Sequence, residues 1–190
     1  MEFKKTRSFL AVVGAFALSV VSCNPEPDES DLFTFTGETI ESLIESDSLL
    51  TDFNYILKRV GYDKMMAAYG SYTCFAPTND GVKAYCDSLY NDVEAVIPHN
   101  GMTENSLEGL SDSLCLNLVQ YHITANYRDI VSMTGNGEVA TMLGYEFSYS
   151  SDTGETVLGN KATILTSDIA ATNGLLHIID NVIPRFTRFI

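Results

Sequence analysis

Residues Tyr72–Tyr85 read Tyr-Thr-Cys-Phe-Ala-Pro-Thr-Asn-Asp-Gly-Val-Lys-Ala-Tyr. Tyr72–Phe75 is short, apolar and β-favouring, which predicts a buried strand. Pro77 has no backbone N–H and stops the ladder. Thr78 follows in the helix N-cap position, where its hydroxyl accepts a free N–H of the first turn, and Asp80 adds favourable charge there. Val82, Tyr85, Cys86 and Leu89 recur at helical spacing and form the inward face of that helix. A strand that passes through a proline turn into a capped helix is a packed junction, and the flanking segments must supply what packs on it.

Before the junction the period is helical. Ile40, Leu43 and Ile44 share one face, with Thr36 or Thr39 as cap. Leu49, Phe53, Ile56, Leu57 and Val60 share another, starting at Asp47 or Ser48. Lys58 and Arg59 oppose the negative end of its dipole, and Gly61 ends it. Asp63–Tyr69 predicts a further short helix with Met65 and Met66 as core fillers.

After the junction, Asn91–Gly109 has no period and reads as a long surface excursion. Ser111–Val119 predicts a helix with Leu114, Cys115 and Leu118 inward, and Gln120–Thr124 turns to strand character around Tyr121 and His122. From Val131 the pattern is β. Gly135-Asn136-Gly137 reads as a turn, Glu138–Leu143, Tyr145–Ser151, Thr156–Leu158 and Ala162–Leu165 as strands, Ser151–Gly154 as a hairpin turn, and Leu175–Ile179 as a buried strand. Helices first and strands later give an α+β class.

Three separated segments agree with one another. Thr73-Cys74-Phe75-Ala76-Pro77-Thr78-Asn79-Asp80 resembles the first signature of fasciclin domains, Tyr121-His122 resembles their central Tyr-His motif, and Asn173-Gly174-Leu175-Leu176-His177-Ile178-Ile179-Asp180-Asn181-Val182-Ile183-Pro184 resembles their second signature. The resemblance covers residues 36–186. It implies a fasciclin-like β-sandwich or wedge with several helices packed against it. It marks Thr78, Asn79, Tyr121, His122, Asn173, Gly174, His177 and Asp180 as family-motif residues, structural or interacting. It further implies an adhesion or protein-interaction module rather than an enzyme. The chain departs from the family at Gly81 and Val82, where a small helix former and a phenylalanine are common. Glycine there costs about 1 kcal/mol against alanine. Ile123-Thr124-Ala125-Asn126 also lacks the proline-glycine turn that often follows the Tyr-His motif.

Residues 1–22 read as a secretory signal peptide: Lys4, Lys5 and Arg7 precede an apolar run, Phe9–Val21, that is shorter than the ~20 residues of a membrane span. Val20-Val21-Ser22-Cys23 resembles the bacterial lipobox, which implies acylation of Cys23 and firm anchoring through several acyl chains. Residues 23–35 then form a tether, with Glu26, Asp28, Glu29 and Asp31 interleaved with Pro25 and Pro27. It is either a plain solvated linker or, as its similarity to the acidic stretch of Bacteroidetes-type lipoproteins implies, a signal for export to the outer face of the outer membrane. The expected address is the cell envelope, as an outer-membrane lipoprotein. A single domain occupies residues 36–190.

The net charge of −14 becomes two units more negative once residues 1–22 leave, which repels nucleic acid and excludes it as a partner. Of the 4 cysteines, Cys74, Cys86 and Cys115 lie in apolar settings and read as buried free thiols, with a disulfide between one pair as the other possibility. His122 and His177 lack the ligand spacing of a metal site, and there is no nucleophile elbow or phosphate loop, so no metal and no cofactor is expected. Asp152-Thr153-Gly154 makes a turn rather than a protease dyad half.

The triplets Asp47-Ser48-Leu49, Asp87-Ser88-Leu89 and Asp112-Ser113-Leu114 are similar to the acceptor of Bacteroidetes protein O-glycosylation. They nominate Ser48, Ser88 and Ser113, although Asp and Ser also suit helix caps. The expected function is a lipid-anchored envelope protein mediating adhesion or protein–protein interaction, with the membrane and a protein or glycan as partners. The alternative is a glycan-binding or accessory lipoprotein of an outer-membrane polysaccharide uptake system, with Tyr62–Tyr72 and Tyr145–Tyr149 as stacking faces.

Overall fold

The computed structural model describes residues 37–185. The signal peptide, Cys23 and the tether lie outside the described residues, as do the last five positions of the expected domain.

Helix α1 (Ile40–Ser46) starts at Thr39, whose Oγ1 accepts from the Ser42 N–H at 3.2 Å. A 3-10 turn, Ser48–Leu50, is capped by Asp47 and leads into α2 (Thr51–Arg59), which ends at Val60 and a left-handed Gly61. That tighter turn shifts the register. Leu50 is buried and Leu49 is 56 % exposed, so the expected inward place of Leu49 is corrected. Then come α3 (Asp63–Ala67), β1 (Tyr72–Pro77) and α4 (Asn79–Tyr90). The excursion follows, containing a 3-10 turn at Pro98–Gly101. Helix α5 (Asp112–Tyr121) and β2 (Ile123–Thr124) come next.

Tyr121 closes α5 and His122 is its C-cap, so neither stands in the strand expected there. The apolar run through this region serves two periods, and the helix holds it until Ile123 pairs with Cys74. The β region comprises β3 (Asn136–Ala140), β4 (Glu146–Ser150), β5 (Val157–Leu158), β6 (Ala162–Ala171) and β7 (Gly174–Ile179). Gly135 alone takes the left-handed turn conformation, so β3 already includes Asn136 and Gly137. It also ends before Thr141, because Thr141–Gly144 is itself a turn closed by Gly144 N–H to Thr141 O at 3.0 Å. Strand β6 runs well beyond Leu165 through two register shifts, with Asp168 at φ 58°.

Among the described residues the strands form one mixed sheet, ordered β2-β1-β7-β6-β5-β4-β3. β1 and β7 are parallel and every other pair is antiparallel. β1 and β7 are buried on both faces, which is why each reads as a near-continuous apolar run. Cys74, Ala76, Leu176 and Ile178 point into a helical core with Ile44, Phe53, Leu57, Val82 and Val119. Phe75 and Ile179 point the other way, against Val139, Phe147, Leu158 and Ala162. The sheet therefore folds back over a second core, which gives the α+β sandwich its two layers. Cys74, Cys86 and Cys115 are buried free thiols, as their apolar settings predict.

Candidate functional site

In-register parallel pairing of β1 and β7, with Tyr72 opposite Gly174 and Pro77 opposite Ile179, dictates where the motif residues meet. Residues following the two strands converge at one end, and residues preceding them converge at the other.

At the first end, Thr78 Oγ1 accepts from the Gly81 N–H at 3.3 Å as N-cap of α4 and donates to the Asp180 carbonyl at 3.1 Å. Asp180 Oδ1 accepts from the Thr163 N–H at 2.7 Å, tying β7 to β6. Asn79 bridges two helix starts. Its Oδ1 accepts from the Asp52 N–H at 3.0 Å, and its Nδ2 donates to the Ser48 carbonyl at 2.9 Å. Helix α2 has no side-chain cap of its own, so Asn79 supplies one from another element.

At the other end, Asn173 is fully buried. Its Oδ1 accepts from the Ile40 N–H at 2.9 Å, and its Nδ2 donates to the carbonyls of Met66 at 2.7 Å and Ala68 at 2.9 Å. One side chain thus satisfies the start of α1 and the end of α3. Gly174 has φ 148°, and a Cβ there would collide with the Tyr72 carbonyl oxygen.

Both motif histidines are fully buried. The Ile183 N–H donates to His122 Nε2 at 2.9 Å, so the proton sits on Nδ1, which donates to the Leu118 carbonyl at 2.7 Å. Burial pushes the His122 pKa down to about 4. His177 is the other tautomer: Nδ1 accepts from the Asp168 N–H at 3.3 Å, and Nε2 donates to the Arg128 carbonyl at 2.7 Å. Burial lowers its pKa too, and its ring stacks on Phe75 at 5.2 Å between centroids. Tyr121 donates its hydroxyl to the Glu146 carbonyl at 3.1 Å and packs edge-on to Phe147. Each of these side chains is engaged inside the domain. Among the described residues no group of three or more His, Cys, Asp or Glu is placed to hold a metal ion.

The excursion is built differently. Tyr90, the last residue of α4, stacks on His99 at 4.0 Å, and His99 Nδ1 donates to the Tyr90 carbonyl at 2.7 Å. Asn100 Nδ2 donates to the Leu89 carbonyl at 2.9 Å. His99 and Asn100 take the left-handed conformation at φ 54° and 53°, at a cost of about 1–2 kcal/mol each that these clamps offset. The clamped segment holds Val93 and Val96 97 % exposed and Ile97 62 % exposed.

The fasciclin domain family matches residues 48–185. The chain belongs to the fasciclin domain family. It is 27 % identical over 154 residues to Protein sll1483 of Synechocystis sp., covering 81 % of this chain and 77 % of that one. It is 25 % identical over 148 residues to human Stabilin-1, covering 76 % of this chain but only 5 % of Stabilin-1. The structure of a FAS1 domain pair from the insect cell adhesion molecule fasciclin I superposes with TM-score 0.59 at 16 % identity, covering 78 % of this chain and 51 % of that one. That likeness establishes the fasciclin fold.

Within this fasciclin domain Ser48, Ser88 and Ser113 are all exposed, and the Ser48 carbonyl is the one that Asn79 engages. Asp47 caps the turn carrying Ser48, through Oδ1 and the Leu49 N–H at 2.8 Å, while Ser88 and Ser113 sit within α4 and α5. Gly81 explains the departure noted in the sequence: a Cβ there would meet the Asp180 carbonyl oxygen at 2.5 Å and Asn181 Cα at 2.8 Å. The end of β7 lies against α4 where a larger residue would stand. Asp168 was missed by sequence reading; its Oδ1 accepts from the Ile130 N–H at 3.0 Å while its own N–H serves His177. No local signal announces a bulge inside a run such as Thr163–Ala171.

Proposed function

We propose that this fasciclin domain is a lipid-anchored contact module of the cell envelope, mediating adhesion or protein–protein interaction, with Cys23 as its lipidation site. The observation that carries the contact reading is the clamped segment with Val93, Val96 and Ile97 exposed. Apolar side chains bunched on one held loop suit a partner surface, because burying them gains about 25 cal/mol per Å². Fasciclin I, whose domain pair shares this fold, is a cell adhesion molecule. The signature residues are supporting structure in this reading, and the loop is the contact. Protease treatment of whole cells tests the address. The domain should be shed from intact cells, and Cys23→Ala should move it from the membrane fraction to the soluble one. A domain cut only after lysis would overturn the surface placement.

A glycan-uptake role is the second reading. It is favoured by Tyr127, 58 % exposed, and Tyr69, 79 % exposed. Tyr145 serves it less well, since the Arg185 guanidinium covers its ring at 4.2 Å. Retention of envelope polysaccharides on a column of the protein would favour it over the contact reading. O-glycosylation of Ser48, Ser88 or Ser113 is part of the proposal and rests on their exposure. An intact mass equal to polypeptide plus lipid would remove it.

A further inference from the structure

A cavity of about 240 Å³ lies between the first turn of α2, the α4 helix and the segment Asn105–Leu107 of the excursion. It is smaller than a typical site for a drug-sized ligand, which runs to about 300–1,000 Å³. Its wall is apolar, from Val82, Cys86 and Leu107, and its rim is charged. Two rim carboxylates differ in how they are satisfied. Asp87 accepts from Lys83 Nζ at 2.9 Å and from Asn105 Nδ2 at 2.9 Å. Among the described residues the Asp52 carboxylate has no hydrogen bond and no ion pair. Partial burial and the nearby charge of Glu108 raise its pKa. Lys83 is the one cation lining the cavity, and Asp87 engages it.

We infer that this cavity receives a lysine or arginine side chain of a protein partner, its aliphatic stem against Val82, Cys86 and Leu107 and its charged end on Asp52. Such side chains carry an apolar stem and a polar tip, which is the pattern the cavity presents. The chain's net charge of −14 steers basic partners toward it over longer distances. The inference rests on the contact reading for the source of the side chain, while the cavity's preference for a cation can be measured without it.

Cys86 supplies the readout, since it lines the cavity. Full-length protein is treated at pH 7.5 with 2-aminoethyl methanethiosulfonate, a short analogue of a lysine side chain, or with its anionic 2-sulfonatoethyl counterpart. In either case the Cys86 thiol loses its proton to solvent, its sulfur forms a disulfide with the reagent's thiol sulfur, and methanesulfinate leaves. Peptide mapping separates Cys86 from Cys74 and Cys115. After each rate is divided by that reagent's rate with 2-mercaptoethanol, the cationic reagent should modify Cys86 about tenfold faster or more, as expected for a cleft that concentrates one sign of charge. Asp52→Asn should remove most of that preference. Glu138→Gln, which deletes an exposed charge on β3, should leave it unchanged. Equal rates, a Cys86 inert to both reagents, or the same loss in both variants would overturn the assignment. A protein that mediates no contact between cells, yet shows the preference, would count against the contact reading and not against the cavity.

Discussion

Asn173→Ala removes the side chain that joins α1, α3 and β7. The Ile40 N–H, the Met66 carbonyl and the Ala68 carbonyl all lose their partner. Ala68 is exposed, so water replaces the amide there. The bonds to Ile40 and Met66 are buried, and each group left without a partner costs about 1–3 kcal/mol. The expected loss is therefore about 4 kcal/mol, a large share of the 5–15 kcal/mol that holds a domain together. For a domain of this size that lowers the melting temperature by roughly 8–16 °C. The assay is urea unfolding followed by far-UV circular dichroism, with Asn136→Ala as the control. Asn136 is exposed and its side chain bonds only to Asp152 among the described residues, so truncating it should cost under about 0.5 kcal/mol. If Asn173→Ala cost no more than that control, the fastening role of the second signature would be refuted.

Three further outcomes follow from the same geometry. Thr78→Ala should cost about 1 kcal/mol through loss of the α4 cap, and an unchanged melting curve would refute that role. Gly81→Ala should destabilise by about 1–3 kcal/mol, because the clash with the Asp180 and Asn181 backbone outweighs the ~1 kcal/mol gain in helix propensity; a stabilised variant would contradict the close approach. The buried histidines set a pH dependence. Both have folded pKa values below the unfolded 6.5, so the folded state binds fewer protons, and stability is full above that value and declines as pH falls toward the folded pKa of about 4 for His122. Between pH 7.5 and pH 5 the loss from His122 should be about 2 kcal/mol. Equal urea midpoints at pH 7.5 and pH 5 would contradict neutral histidines in the core.

The elements legible in the sequence were those whose signal is local. Thr39, Thr78 and Gly61 mark helix ends by side-chain chemistry or left-handed backbone, and the structure uses all three. The apolar runs of β1 and β7 announced strands buried on both faces. Segments with competing signals misled. Tyr121 and His122 lie in a run that satisfies helix and strand alike, and tertiary pairing decided for the helix. Leu49 fell to a 3-10 turn whose tighter winding no side-chain pattern records. The reach of β6 stayed hidden because its bulge at Asp168 is held by His177 and Ile130, partners distant in sequence. The same reason kept the partners of Asn79 and Asn173 out of view: each motif could be recognised, but its hydrogen bonds cross elements that the sequence does not place together. The excursion was marked as surface by its lack of period, whereas its exposed Val93, Val96 and Ile97 needed the fold to be seen.

The division between supporting motif and contacting loop is tested most directly by cell adhesion. Cells displaying the full chain are compared with cells displaying it with Val93→Ser, Val96→Ser and Ile97→Ser together, at equal surface amounts. Val93 and Val96 are almost fully exposed and Ile97 is only partly covered, so the variant should stay within about 1 kcal/mol of the parent's stability. Adhesion of the parent, lost in the variant at unchanged stability, is the expected result. Undiminished adhesion by the variant would contradict the placement of the contact surface on this loop.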